Sequence, residues 1–190
     1  MKILVIGSGG REHALTWKLV KDSIRPGVFC APGNAGTAEI ASNVSIGAED
    51  VEGLLKWARE NKPDLTVVGP EVALCAGLTD RFEAEGLRVF GPSRAAAQLE
   101  GSKVFSKEVM QQGGVPTAKA ATFTDVNEAL AYVRSMVPPV VIKAEGLAAG
   151  KGVYVCQTLA DAESAIQDVM VKKIFGAAGN RVLVEEFLQG

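Results

Sequence analysis

The sequence is short of the residues that build metal sites and disulfides. It has one histidine, His13, and three cysteines, Cys30, Cys75 and Cys156, which lie far apart and form no Cys-x-x-Cys pair. An odd number of scattered thiols without partner histidines gives neither a disulfide framework nor a zinc knuckle, and reads as reduced, partly buried side chains. An excess of one charge is also lacking, since 20 Lys+Arg stand against 22 Asp+Glu for a net charge of -2. Nucleic-acid binding draws on clustered cations, so no nucleic-acid partner is expected. No apolar run approaches the roughly 18 residues of a membrane span, and Met1 leads directly into a strand-like segment with no signal-peptide core. The expectation is a cytoplasmic chain with no membrane partner. Internal repeats are missing too, and only Gly176-Ala-Ala-Gly179 is simple enough to suggest a mobile turn.

What is present is an ordinary globular composition: 190 residues, 47% of them hydrophobic. That length suits one large domain or two small ones and needs no disulfide to fold. From Lys2 to Phe90, short β-branched runs alternate with amphipathic stretches. Ile3 to Ile6, Val28 to Cys30, Leu65 to Val68 and Leu87 to Phe90 read as strands. Arg11 to Lys21, Asp50 to Glu60 and Thr79 to Glu85 read as helices, and Val51, Leu54, Leu55 and Ala58 share one helical face. Such alternation predicts a parallel sheet covered on both faces, with ligand loops at the carboxyl ends of its strands. Those loops are Gly7 to Gly10, Ala31 to Gly36 and Gly69 to Glu71.

A helix over Lys103 to Gln112 runs into Gly113, Gly114 and Pro116, which are stop signals. The expected domain boundary falls there, giving domains of 1–115 and 116–190. The second part reads as a small α+β module: strand Lys119 to Phe123, a helix capped by Asp125, strands Val140 to Lys143 and Val153 to Cys156, helix Leu159 to Met170 capped by Thr158, and strand Arg181 to Phe187.

Three motifs could carry chemistry. Gly7-Ser8-Gly9-Gly10-Arg11-Glu12 follows a strand and opens a helix, but the third glycine of a dinucleotide fingerprint is replaced by Glu12, which disfavours a nicotinamide cofactor. Small residues at a helix start still let backbone N–H groups approach a phosphate, with Arg11 beside them. A tight turn with no ligand fits the same residues. His13, with no partner at ligand spacing, reads as structural. Lys143 to Val153 resembles a P-loop without being one, because three residues separate Gly146 from Gly150, Gly152 follows Lys151, and a strand comes next. A hairpin with a glycine-rich tip that covers nucleotide phosphates is the alternative, Lys143 supplying a point charge; a hairpin made mobile by its glycines is another. Glu145 gains no role from the sequence. Val182 to Leu188 reads as a buried strand turning polar at Glu185 and Glu186, where exposed-edge backbone and acids could bind an adenine and its ribose. A solvated strand end fits equally.

Taken together, Lys2 to Leu15 (KILVIGSGGREHAL), Ala31 to Thr37 (APGNAGT), Val67 to Glu71 (VVGPE), Phe90-Gly91-Pro92, Ala97 to Lys103 (AQLEGSK), Ile142 to Val153 (IKAEGLAAGKGV) and Glu185 to Leu188 (EEFL) are similar, in unbroken order, to the phosphoribosylamine–glycine ligase family. This is the glycinamide ribonucleotide synthetase family of purine biosynthesis, within the ATP-grasp superfamily. The resemblance implies an α/β fold, a Rossmann-like parallel-sheet domain followed by a small α+β ATP-grasp lid. It implies an ATP-dependent ligation of glycine to 5-phosphoribosylamine through a glycyl phosphate, with Mg or Mn as the metal.

By carry-over, Lys103, Lys143 and the loop with Gly146, Gly150, Lys151 and Gly152 would meet ATP phosphates. Glu185, Glu186, Phe187 and Leu188 would wall the adenine pocket, mainly through backbone. Gly9, Gly10, Arg11 and Glu71 would face phosphoribosylamine. The resemblance assigns no catalytic residue here, and the metal ligands are expected outside this segment, because the family's large catalytic domain follows it. The expectation is therefore an amino-terminal portion, inactive alone, from a parent that stands alone or is fused to later purine-pathway enzymes. A non-catalytic nucleotide- or phosphoribosyl-binding module, and some other ATP-grasp carboxylate–amine ligase, are the alternatives.

Overall fold

The computed structural model describes residues 1–22, 27–148 and 151–189. The chain divides into two compact units, Met1–Gln98 and Leu99–Gly190. The division falls inside helix α6 (Arg94–Gly101), ahead of the break that Gly113, Gly114 and Pro116 mark in the sequence. Helix α7 (Lys103–Gln112) goes with the second unit, where the Lys103 and Lys107 amines donate to the carbonyls of Gly146 and Ala118.

In the first unit the order is β1 (Lys2–Gly7), α1 (Gly10–Asp22), β2 (Gly27–Pro32), α2 (Ala35–Ile40), β3 (Ser42–Asn43), α3 (Val51–Asn61), β4 (Leu65–Val68), α4 (Glu71–Cys75), α5 (Leu78–Ala84) and β5 (Val89–Phe90), and α6 begins before the unit ends. The strands form a parallel sheet in the order β3-β2-β1-β4-β5. β1 is a continuous apolar run because both of its faces are covered. Leu4 and Ile6 join Leu54, Leu55, Leu74, Leu78 and Phe82 on one side, while Ile3 and Val5 join Val28, Cys30 and Val67 on the other. α2 and α4, six and five residues long, are too short to show a periodicity, and α6 buries only Ala97. Asn34 caps α2 and Ser93 accepts from Ala96 at the start of α6, whose alanines favour the helix, while α4 has no side-chain cap.

In the second unit β6 (Ala120–Phe123), α8 (Val126–Arg134), β7 (Val140–Ala144), β8 (Val153–Cys156), α9 (Leu159–Ile166) and β9 (Val182–Glu186) form an antiparallel sheet, in the order β6-β9-β7-β8, with helices. Val140, Ile142, Ala144, Val182 and Val184 pack with Ala129, Val133, Ala162, Ala165 and Ile166 of α8 and α9 in one core. Alternation then assigns Val141, Lys143, Leu183 and Glu185 to the opposite sheet face. The expected hairpin over 140–156 is there as β7 paired with β8.

One expectation is corrected here. The helix expected over Leu159 to Met170 loosens after Ile166 into a π-turn at Gln167–Val171. The turn expected over Gly176 to Gly179 is a 3₁₀ turn, Gly176–Asn180. Gly179 is buried, and a Cβ on it would stand 2.2 Å from the Val169 carbonyl oxygen that the π-turn presents. Backbone cannot give way there as a flexible side chain does, so Gly179→Ala is expected to destabilise the protein by about 1–3 kcal/mol. The check is the urea midpoint at unchanged slope, and a midpoint equal to wild type would contradict the packing described.

Candidate functional site

In the first unit, the loops after β1 and β4 meet at the switch point of the sheet, where such folds bind ligands. Gly7, at φ +126, turns the chain out of β1 in a conformation that only glycine adopts readily. Its carbonyl accepts from the N–H of Gly33, and Gly69 N–H donates to Ile6. Asn34 caps α2 and reaches back with its amide to the Ser8 carbonyl at 2.9 Å. The imidazole of His13 lies so close to Gly36 that a Cβ there would be 2.3 Å from it, which makes His13 a packing residue.

Glu12 is the feature that the sequence reading used only to reject a dinucleotide. Its side chain is buried, and added Cβ atoms at Gly7 and Gly69 would lie 2.5 and 2.3 Å from it. Its Oε2 accepts from Gly9 N–H at 2.8 Å and its Oε1 from Arg11 Nε at 2.7 Å. An internal carboxylate thus fills the space where a glycine-rich turn would admit an external phosphate. The expectation for Gly9 is altered accordingly, since its N–H is already engaged. Gly10 meets nothing around its Cβ position, and Arg11 is exposed, its guanidinium 3.5 Å from Glu71. The hydrogen bond from Glu12 is the main cause that raises the Arg11 pKa, ahead of the opposing effect of burial.

The second unit assembles a charged cluster. Lys143 on β7 pairs in register with Leu183, two residues before Glu185 on β9, so Lys143 and Glu185 are diagonal neighbours on one sheet face. Lys143 Nζ lies 2.7 Å from Glu185 Oε2, and Lys107 Nζ lies 3.4 Å from Glu185 Oε1. Lys103 donates to the Gly146 carbonyl at 2.9 Å, at the start of the glycine-rich loop. Burial first, and nearness to Lys143 second, push the Lys103 pKa below the ordinary lysine value. Glu145 accepts from the Ser102 hydroxyl and faces Arg181 at 3.0 Å.

Lys103, Lys143, Gly146 and Glu185 are therefore neighbours within one unit. Lys151 is exposed, and Gly152 is buried where a Cβ would meet Ala148 at 2.7 Å. Gly150 lies outside the described residues. The exposed edge expected at Glu185 and Glu186 is not found: β9 is flanked by β6 and β7, and Glu186 pairs in register with Val140. The Glu186 carboxylate accepts from Lys119 N–H at 2.8 Å. Phe187 and Leu188 follow the strand, Leu188 exposed. Lys107, Ser102 and Arg181 were not singled out by sequence, because a lone Lys or Ser on a helix and an Arg before a strand carry no spacing signal.

Residues 1–100 match the model of the phosphoribosylglycinamide synthetase N domain, and residues 101–190 match its ATP-grasp (A) domain. The chain belongs to the phosphoribosylglycinamide synthetase family. It is 57% identical to the phosphoribosylamine–glycine ligase of Xanthomonas axonopodis pv. citri, across 100% of this chain and 44% of that relative. Against the same ligase of Escherichia coli K12 the identity is 53%, across 100% and 45%. The crystal structure of phosphoribosylamine–glycine ligase from Thermotoga maritima superposes with a TM-score of 0.79 at 31% identity, covering 100% of this chain and 44% of that one. A biotin carboxylase domain from Hydrogenobacter thermophilus, at 19% identity and a TM-score of 0.77, shares the fold. The chain thus spans less than half the length of the family relatives it matches.

Glu12→Ala leaves the glycine cradle empty and Gly9 N–H without its acceptor, and a loss of about 1–3 kcal/mol in unfolding free energy is expected. Glu12→Gln, which still fills the space and accepts from Gly9, is expected to lose less. Chemical denaturation of both variants checks the order, and equal loss would mean that filling the cradle is unimportant.

Proposed function

We infer that this chain provides the nucleotide-gripping and phosphoribosyl-facing parts of a ligase that joins glycine to 5-phosphoribosylamine at the expense of ATP, giving glycinamide ribonucleotide, ADP and phosphate. The observation that carries the reading is the group of Lys103, Lys143 and Gly146 on one side of the antiparallel sheet, within the ATP-grasp match. Phosphate groups need cations and donors held in place, and ammonium groups on a strand and a helix start are rigidly based. The loop from Gly146 to Gly152 would bring backbone N–H groups to the same phosphates.

Since the Glu185 carboxylate is engaged by lysines and that of Glu186 by Lys119, the adenine is read by backbone at Phe187 and Leu188, past the paired part of β9. In the first unit Gly10, Arg11 and Glu71 face the phosphoribosylamine, the guanidinium offering the fork that suits a phosphate. Among the described residues no three His, Cys, Asp or Glu side chains gather as a metal site. The Mg or Mn ion that accompanies ATP in such ligases is given no ligand here, and no step is assigned to it. Cys30 and Cys156, pushed by burial away from the reactive thiolate, suit the cytoplasmic setting of this reading.

The test is ADP formation that depends on both glycine and phosphoribosylamine by the full chain from its source; ADP formation indifferent to glycine would refute the reading. In that enzyme Lys143→Ala is expected to raise KM for ATP about 10- to 100-fold, the worth of a charge-assisted bond. KM for phosphoribosylamine should move far less, and equal increases for both substrates would remove Lys143 from its role.

A second expectation concerns pH. The Lys103 ammonium is held below the ordinary lysine value, chiefly by burial, and a phosphate beside it favours the charged form. ADP binding then takes up a proton once pH has risen far enough for free Lys103 to deprotonate. Affinity is flat below that point and falls above it. Calorimetry in two buffers of different ionisation enthalpy measures the uptake on the alkaline side, and proton release there would be the wrong sign.

A further inference from the structure

Glu185 carries two cations, and the nucleotide reading uses only one of them. The carboxylate is buried on its sheet face, with Lys143 Nζ 2.7 Å from Oε2 and Lys107 Nζ 3.4 Å from Oε1. The two lysines are held differently. Lys107, on α7, donates to Thr117 Oγ1 at 2.8 Å and to the Ala118 carbonyl at 2.7 Å, and its side chain is only 12% exposed. Lys143 is more open, at 27%. The buried Oε1 of Glu185 receives no hydrogen bond, only the charge of Lys107.

We propose that Lys107 is a positioning residue: it is the fixed counter-ion of Glu185, and it thereby leaves Lys143 free to turn to a nucleotide phosphate. The proposal rests on the phosphate-binding reading of Lys143 given above. With Lys143 as its sole cation, Glu185 would form a neutral pair. Drawing Lys143 away would then strip a buried carboxylate of its charge partner, which is strongly unfavourable. Two ammonium groups on one carboxylate leave one positive charge over. When Lys143 moves, Lys107 remains, and its 3.4 Å separation from an oxygen without a hydrogen bond gives it room to close to bonding distance. Its bonds to Thr117 and Ala118 use two of its three protons, and the third is available for Glu185.

A merely structural Lys107, tying α7 to Thr117 and Ala118, would act independently of Glu185. The experiment therefore measures ADP binding by titration calorimetry to the full chain and to Lys107→Met, Glu185→Gln and the double variant. Lys107→Met is expected to weaken ADP about tenfold. In the double variant, affinity should return to within about threefold of Glu185→Gln alone, because a neutral amide has no claim on Lys143. Lys107→Arg, which keeps the charge, should bind ADP as wild type does. Should Lys107→Met not fold, Lys107→Gln removes the charge while keeping a donor for Thr117 or Ala118, and is read in the same way. Wild-type affinity in the charge-removing variant, or a loss that persists in the double variant, overturns the counter-ion role. A wild-type protein that binds no ADP overturns the nucleotide reading itself, and the proposal with it.

Discussion

A carboxylate taken out of water must be given cations or N–H donors, or the fold loses several kcal/mol. The described residues bury two acidic side chains, Glu12 and Glu185, one in each unit. Both lie beside loops at strand ends, and both engage a more exposed cation, Arg11 in one case and Lys143 in the other. The buried acid in each unit therefore fixes where a charge is presented to solvent. The hydrophobic cores on either side of the first sheet, and between the second sheet and its helices, hold β1, which leads into the helix that carries Glu12, and β9, which carries Glu185. They supply the rigidity on which a site needing atoms placed within fractions of an ångström depends.

The two acids are accommodated by opposite means. Glu12 is received by missing side chains: Gly7, Gly9 and Gly69 make room, and the Gly9 N–H and Arg11 supply its bonds. Glu185 is received by present ones, a lysine from the neighbouring strand and a lysine from α7. The first arrangement engages the Gly9 N–H from within the turn and leaves Arg11 exposed beside it. The second leaves a surplus positive charge, and beside it Lys103 is held below the ordinary lysine value by burial first and by Lys143 second. One cradle is satisfied from within, whereas the other is charged in a way that an incoming phosphate would relieve.

Much of this was legible in the sequence. The βαβ alternation gave the parallel sheet and the loops at its strand ends because β1, buried on both faces, has to be a continuous apolar run. The hairpin at 140–156 was legible because Val153-Tyr154-Val155 is β-branched and aromatic, which ruled out the helix of a P-loop. What stayed hidden was pairwise geometry. A Glu at the third glycine position disfavours a nicotinamide cofactor on sight, but that its carboxylate occupies the turn depends on Gly69, far along the chain. Lys107 belongs to an unremarkable helix, and only the packing of α7 shows that it shares an acid with Lys143. The need for glycine at position 179 was hidden as well, because composition reports backbone freedom in isolation while the buried Gly179 is set by a carbonyl of another segment.

The same geometry limits what these residues do chemically. A general base needs an acid that can give up its present partners, and three acids of the cluster are committed. Glu145 is taken by Ser102 and Arg181, Glu185 by Lys107 and Lys143, and Glu186 by the N–H of Lys119. Moving a proton through any of them would break an ion pair or uncap a backbone donor, at a cost comparable to the bond it makes. The cations are less constrained, because Lys107 stays on Glu185 when Lys143 turns to an anion, and the partners that Lys103 holds are neutral carbonyls. The geometry therefore suits these cations to holding an anion and leaves Glu145, Glu185 and Glu186 poorly placed for proton transfer.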